Sequence, residues 1–556
     1  MADVSYLHRV RAALQERGLV IQTAAFLLAA LVLAPVVNLL WTASGGSTAH
    51  WTHLLHYVLP HAARNTLALL AGVGIMVTLL GTGAAWLVTA YDFPGRRTLT
   101  WALLLPLAVP TYIVAFAYLD LLHPIGPVQT TIRTMLGYDS PRQFRLGDLR
   151  SIWGAIFVLG TVLYPYVYLS TRAMFMMQSA SLLEAARTLG CSPRQAFLRV
   201  ALPMARPAIA VGVSLALLET LNDIGASEFL GVQTLTVAVY TTWITRSDLA
   251  GAAQIALSML IIVLGLILLE RHSRKRQRYV TTQKMRPLPR RALRGPKAWM
   301  ALAAGVLPVL LGFLAPAAYL VVETVKRYTQ VGAVSHALVN SLYNTLLVAT
   351  AATVFTGSAG LILAWAGRQL RDAAPANGGR VMGRMASLGY ALPGTVLAIG
   401  LLGPFVWFDR ALGSLFGLSG LLLTGSMAAL VIAYTVRFLA ISVGSLEAGL
   451  ARISPSLEQA SRLLGHSPAG TLRRVHLPLL RPAMAAAALL VFVDAMKELP
   501  ATLLLRPMNF DTLATWLYAE AARGTYEEGA IAALAIVLAG LLPVILLART
   551  NLKFGN

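Results

Sequence analysis

Cysteine is almost missing: Cys191 stands alone in 556 residues, so no disulfide can form within the chain. Charge is scarce at 12% of residues, and acids are the scarcer sign, with 23 Asp and Glu against 45 Lys and Arg. A soluble protein of this length could not hide a 57% hydrophobic composition behind so few charges, whereas a bilayer requires one. There is no G-x-x-x-x-G-K-[ST], so the chain does not cradle nucleotide phosphates itself. No Ser/His/Asp or Cys/His arrangement stands out, no hydrolase elbow is present and no Cys/His spacing suits zinc, which leaves no catalytic residue and no metal ligand to name. The formal charge of +22 does not point to nucleic acid, because the basic residues sit in short connectors between apolar runs.

Those runs organise the chain. They fall at Leu19–Trp41 and at about Asn65–Ala90, Leu99–Leu122, Ile152–Phe175, Ala208–Asn222 and Ala250–Leu269. A second set lies at about Trp299–Val322, Asn340–Ala366, Met382–Phe408, Gly420–Ile441, Ala483–Leu505 and Gly529–Leu547. The expectation is an all-α integral membrane protein of about 12 transmembrane helices, with the first run retained as a helix and not removed as a signal peptide. Arg9, Arg11 and Arg17 before the first run and Arg549 and Lys553 after the last place both termini in the cytoplasm. Residues 1–270 form a first six-helix repeat, 271–298 a basic cytoplasmic linker held near anionic lipid headgroups, and 299–556 a second repeat. An even number of helices per repeat makes the two parallel. Arg133, Arg142, Arg145 and Arg150 cluster in a proposed outer loop and are the exception to the charge rule.

One polar stretch occurs twice. Ser181–Pro207 reads S-L-L-E-A-A-R-T-L-G-C-S-P-R-Q-A-F-L-R-V-A-L-P-M-A-R-P, and Ser456–Pro482 reads S-L-E-Q-A-S-R-L-L-G-H-S-P-A-G-T-L-R-R-V-H-L-P-L-L-R-P. Gly190 pairs with Gly465, Ser192 with Ser467, Pro193 with Pro468, Pro203 with Pro478 and Pro207 with Pro482, each across 275 positions. Ser181 with Glu184, and Ser456 with Gln459, fit capping boxes. Each glycine fits a left-handed helix end, and each Ser-Pro opens a second short helix that Pro203 or Pro478 ends. The expected unit is a short helix–turn–helix, here called an elbow.

Glu184-Ala185-Ala186 with Gly190, Phe197, Pro203 and Pro207 resembles the cytoplasmic EAA loop of ABC-importer permeases. The second copy matches through Ala460, Gly465, Pro478 and Pro482 and departs at Gln459 and Ser461. The resemblance implies that both elbows dock on ATP-binding-cassette subunits. It implies two cytoplasmic ATPase partners that carry ATP and Mg, no cofactor on this chain, a periplasmic substrate-binding protein, and a bacterial inner membrane. A secondary transporter or channel built from fused repeats is the alternative from another class, and it has no need of matched elbows.

Acids inside membrane helices are costly and are functional candidates. Glu219 aligns with Asp494 and Asp223 with Glu498, again 275 apart, and a spacing of four puts each pair on one helix face. With Lys497 they either line a path for a hard, oxygen-loving cation or fix the helices by pairing with Lys497, helix N-termini and hydroxyls. Asn65-Thr66-Leu67 matches Asn344-Thr345-Leu346, and Pro110–Ala115 resembles Pro393–Ala398, as packing features. His50, His53, His56 and His61, beside Trp51 and Tyr57, read as an interfacial outer loop more than a metal site. Finally, a single chain carrying both halves resembles ferric-iron permeases, as does Lys497-Glu-Leu-Pro-Ala-Thr502 with Arg506-Pro507 and Phe510–Ala514. Thiamine permeases share the fused plan, and thiamine or polyamine remain alternatives.

Overall fold

A computed structural model describes residues 19–45, 48–177, 185–186, 188–274, 290–373, 389, 392–417 and 420–553. Among them, eleven helices are long and apolar enough to cross a membrane, and Arg96–Ala108 with Thr111–Leu121 makes a twelfth span bent by 91°. They follow the expected order, six in each half. The bend falls at Pro110, which has no N–H to continue the ladder and whose ψ of 145° is not helical.

Several boundaries differ from the sequence reading. The second span begins at Trp51, so His53, His56 and His61 lie on a helix and not in a loop. His53 and His56 contact the Tyr57 ring, and His61 Nε2 is 3.2 Å from Asn65 Nδ2. The fourth span of the second half is Met427–Ala451, later than Gly420–Ile441, because the Asp409 carboxylate accepts from the Leu423 and Thr424 amides and holds those residues in a turn. Ala483–Leu505 is not one helix: Leu477–Met496 ends, three residues intervene, and Pro500–Leu505 follows. Leu499 precedes a proline and sits at φ −112°, where a helix does not continue easily. Residues 382–388 of the expected third span lie outside the described residues.

The chain forms two compact units. One joins the described residues 19–45 with 248–257 and 339–512, so the first described helix (Leu19–Ser44) belongs with helices of the second repeat. It packs on Gly394–Phe416, where a Cβ at Gly400 would stand 2.5 Å from the Pro35 carbonyl. Only glycine permits that approach. The other unit joins 47–247, 258–338 and 513–556, and here the first helix of the second repeat (Pro296–Val331) belongs with first-repeat helices. The Tyr118 hydroxyl donates to the Leu311 carbonyl at 2.7 Å, and Lys326 pairs with Glu527 at 3.0 Å. Among the described residues the one departure from all-α is a two-residue parallel bridge, Tyr91–Asp92 with Arg291–Ala292, that anchors the end of the linker; residues 275–289 of the linker lie outside the described residues. Arg133 of the exceptional basic loop is buried and donates to the Pro124 carbonyl at 2.6 Å.

Candidate functional site: two elbows and two capped helix breaks

The second elbow is the more completely described. Its first helix is Pro455–Leu463, and the cap is Ser454, whose hydroxyl accepts from the Ser456 amide at 3.3 Å. Ser456 and Gln459 therefore do not form the expected capping box. Pro455 is the reason, because it takes the first helical position and moves the cap to the residue before it. Gln459 and Ala460 are exposed, while Ser461 is buried and shares a 2.9 Å hydrogen bond with Thr471. Gly465 is left-handed at φ +79°, with the His466 amide bonding back to the Ser461 carbonyl at 3.1 Å and its own amide to Arg462 at 3.0 Å, as in a Schellman motif.

In the first elbow, Ser181 and Glu184 lie outside the described residues. Ala185 is exposed and Ala186 buried, like Ala460 and Ser461. Gly190 has φ +87°, and the Cys191 amide bonds to the Ala186 carbonyl at 3.0 Å. A capping box exists one helix later: Ser192 Oγ accepts from the Gln195 amide, and Gln195 Oε1 accepts from the Ser192 amide at 2.9 Å. Ser467 caps likewise, accepting from Gly470 at 3.2 Å. Both turns thus present a leucine outward, Leu189 at 85% and Leu464 at 77% exposure.

Pro203 and Pro478 do not end the second short helices. Each follows a π turn, Phe197–Ala201 or Leu472–His476, and the helices run on as the spans Pro193–Asn222 and Pro468–Met496. A π turn has already widened the ladder where the proline offers no N–H, so the break is avoided. Pro207 and Pro482 sit inside the same spans.

The sequence reading missed a buried ion cluster under the second elbow. Arg368 Nε is 2.6 Å from Glu458 Oε1, and His476 Nε2 is 2.7 Å from the same oxygen. Arg368 also donates to the carbonyls of Leu450 and, at 3.1 Å, Ile453. The adjacency of Glu458 to Gln459 was the available signal: the acid lost from one position stands one residue earlier.

The four intramembrane acids divide into two kinds. Glu219 and Asp494 are half-buried on the fifth helices, and Asp494 pairs with Lys497 at 2.8 Å. Asp223 and Glu498 do not share those helix faces, because the helices stop at Asn222 and Met496. Both are buried and both cap the short helix that follows. Asp223 accepts from the Ser227 amide at 3.1 Å and from the Thr111 hydroxyl. Glu498 accepts from the Ala501 and Thr502 amides at 3.1 Å and from the Thr502 hydroxyl at 2.8 Å, with Arg437 Nε at 3.8 Å. Ser227 and Thr502 are themselves 275 apart. Glu228, in the short helix after Asp223, accepts from the Tyr518 hydroxyl.

The matched Asn-Thr-Leu motifs hold the loops beyond these breaks. Asn65 donates to the Gln233 carbonyl at 3.2 Å and Asn344 to the Asp511 carbonyl at 3.0 Å. Thr66 Oγ1 accepts from the Leu235 amide at 2.9 Å.

Two elbows, two carboxylate-capped breaks and two loop clamps repeat in the same order. The family described as binding-protein-dependent transport system inner membrane component matches residues 78–279 and again 375–552. The chain belongs to this family. As an inner-membrane permease of an ABC importer it resembles an Fe(3+)-transport system permease of Haemophilus influenzae, 26% identical across 88% of this chain and 90% of that one. A protein of Sinorhizobium fredii described as an ABC transporter permease is 26% identical across 88% of this chain and 87% of its own. A Salmonella choleraesuis protein described as a 2-aminoethylphosphonate transport permease is 32% identical but covers 35% of the permease and 68% of itself.

Proposed function

We propose that this permease imports ferric iron delivered by a periplasmic binding protein, driven by two ATPase subunits that grip the elbows from the cytoplasm. The observation that carries the substrate is the ferric-transport relative, whose likeness runs through both repeats, whereas the phosphonate-transport relative aligns with about a third of the chain. In this reading both termini are cytoplasmic, and ATP and Mg reside on the ATPase subunits. Leu189 and Leu464, held outward by left-handed glycines, supply each elbow with an apolar knob. Water-exposed leucines on matched rigid turns suit a protein groove.

ATP-driven closure of the ATPases draws the elbows together, and the continuous spans Pro193–Asn222 and Pro468–Met496 carry that motion from elbow to helix break. Asp223 and Glu498 keep the breaks rigid as caps, and Glu219 and the Lys497-paired Asp494, one turn earlier, are the acids assigned to meet a cation. Hard carboxylate oxygens suit a ferric ion.

The test is reconstitution with the ATPase and binding protein in proteoliposomes. Ferric uptake should require ATP and vanish when the ATPase nucleotide site is inactivated. Uptake that survives inactivation would overturn the drive, and import of 2-aminoethylphosphonate in place of iron would overturn the substrate.

A further inference from the structure

The two elbows are joined to the helix bundle by different chemistry. Beneath the second, Arg368 on the second helix of its repeat (His336–Ala373) reaches Glu458 on the elbow, the carbonyls of Leu450 and Ile453 at the end of the fourth helix, and through Glu458 reaches His476 at the start of the fifth. Glu458 and His476 are 7% and 2% exposed. Below them lies an apolar cluster of Ala364, Leu446, Leu450, Ile453 and Leu480. A carboxylate so placed is held by its partners and not by water, so its position follows theirs. His476 Nε2 donates to Glu458, and Nδ1 is buried without a hydrogen-bond partner, which fits the neutral ring.

At the matching places of the first repeat none of these groups exists. Glu458 corresponds to Leu183 and His476 to Ala201 at the 275-residue offset; Arg368 corresponds to Thr89 in the register that pairs Asn65 with Asn344 and Trp86 with Trp365. Thr89 spends its hydroxyl on the Ala85 carbonyl of its own helix. Among the described residues the first joint is aromatic: Phe197 of the elbow lies 4.7 Å from Trp86 and 6.4 Å from Phe175, ring centre to centre. Ring contacts tolerate sliding, whereas a forked guanidinium bonded to three acceptors is directional.

We infer that Arg368, Glu458 and His476 form a stiff transmission joint, so that the second elbow passes ATPase movement to the bundle more faithfully than the first. Arg368 and His476 are positioning residues that act through Glu458. The inference rests on the docking reading above, and one of its measurements is independent of docking.

In the purified permease alone, R368Q and E458Q should raise amide exchange of Pro455–Leu463 by at least about tenfold, and R368K should recover most of the protection. In proteoliposomes with ATPase and binding protein, R368Q and E458Q should lower iron imported per ATP hydrolysed about tenfold with ATPase still co-purifying, while W86L lowers it about twofold or less. Unchanged exchange in R368Q and E458Q would overturn the joint whether or not the ATPase docks. An equal loss of import per ATP in W86L and R368Q would overturn the asymmetry.

Discussion

At Gly465 nothing lies within 4 Å of where a Cβ would stand, yet φ is +79°. Any cost of substitution there is therefore backbone strain and not collision. A β-branched residue in the left-handed region loses about 1–2 kcal/mol, while asparagine visits it readily. G465V should thus unwind the Schellman bonds and reduce ATPase co-purification, and G465N should stay near the parent. Equal behaviour of the two variants in a pull-down would remove the helix-end role from Gly465. This glycine was legible because its conformation is local: Gly, Ser and Pro within four positions spell a turn and a restart. The cap at Ser454 is equally local, but Pro455, which moves it there, has no counterpart in the first copy, so the repeat pattern does not carry it. Glu458 was legible only as an acid displaced by one residue from the place of Glu184, and its pairing was not legible. Its partner Arg368 lies on another helix, and only tertiary packing brings the two together.

Among elements, the helix breaks matter most. Leu499-Pro500 is a break signal that the apolar run Ala483–Leu505 concealed, and Asp223-Ile-Gly carries no proline to announce its own. The carboxylate caps explain why acid recurs at both positions: a short helix begun inside the bundle has free N–H groups, and a buried carboxylate satisfies them. In the second half Glu498 also faces Arg437, which occupies the position of Val162. Removing one member of such a buried pair leaves the other uncompensated. E498A should lower stability by about 3–5 kcal/mol. R437L should relieve part of that loss when combined with E498A, because no unpaired guanidinium is then buried. Thermal or denaturant unfolding of the single and double variants measures the coupling, and strict additivity would show that the 3.8 Å approach contributes nothing.

On the scale of the whole molecule, the repeats of the sequence and the compact units of the fold are different partitions. Twelve helices in two sets were legible from apolar runs and punctuation, because lipid imposes length and the glycines and prolines recur at a constant offset. The exchange of first helices was not, because Leu19–Ser44 carries no mark of its partner: its face against Gly394–Phe416 is written as Pro35 and Asn38 opposite Gly400 and Gly403, and small residues serve many contacts. The exchange has a mechanical consequence. Each unit contains helices from both sides of the basic linker, so the linker's covalent continuity is not what holds the halves together. A protease site inserted between Gln283 and Lys284 should, once cut, leave residues 1–283 and 284–556 co-purifying in detergent, with unfolding unchanged within about 1 kcal/mol. Separation of the two fragments on cleavage would mean that the first helices do not bind the opposite repeat strongly enough to bridge it. Retention would instead place the whole cost of parting the halves on buried helix faces, such as that of Pro35 and Asn38 against Gly400 and Gly403.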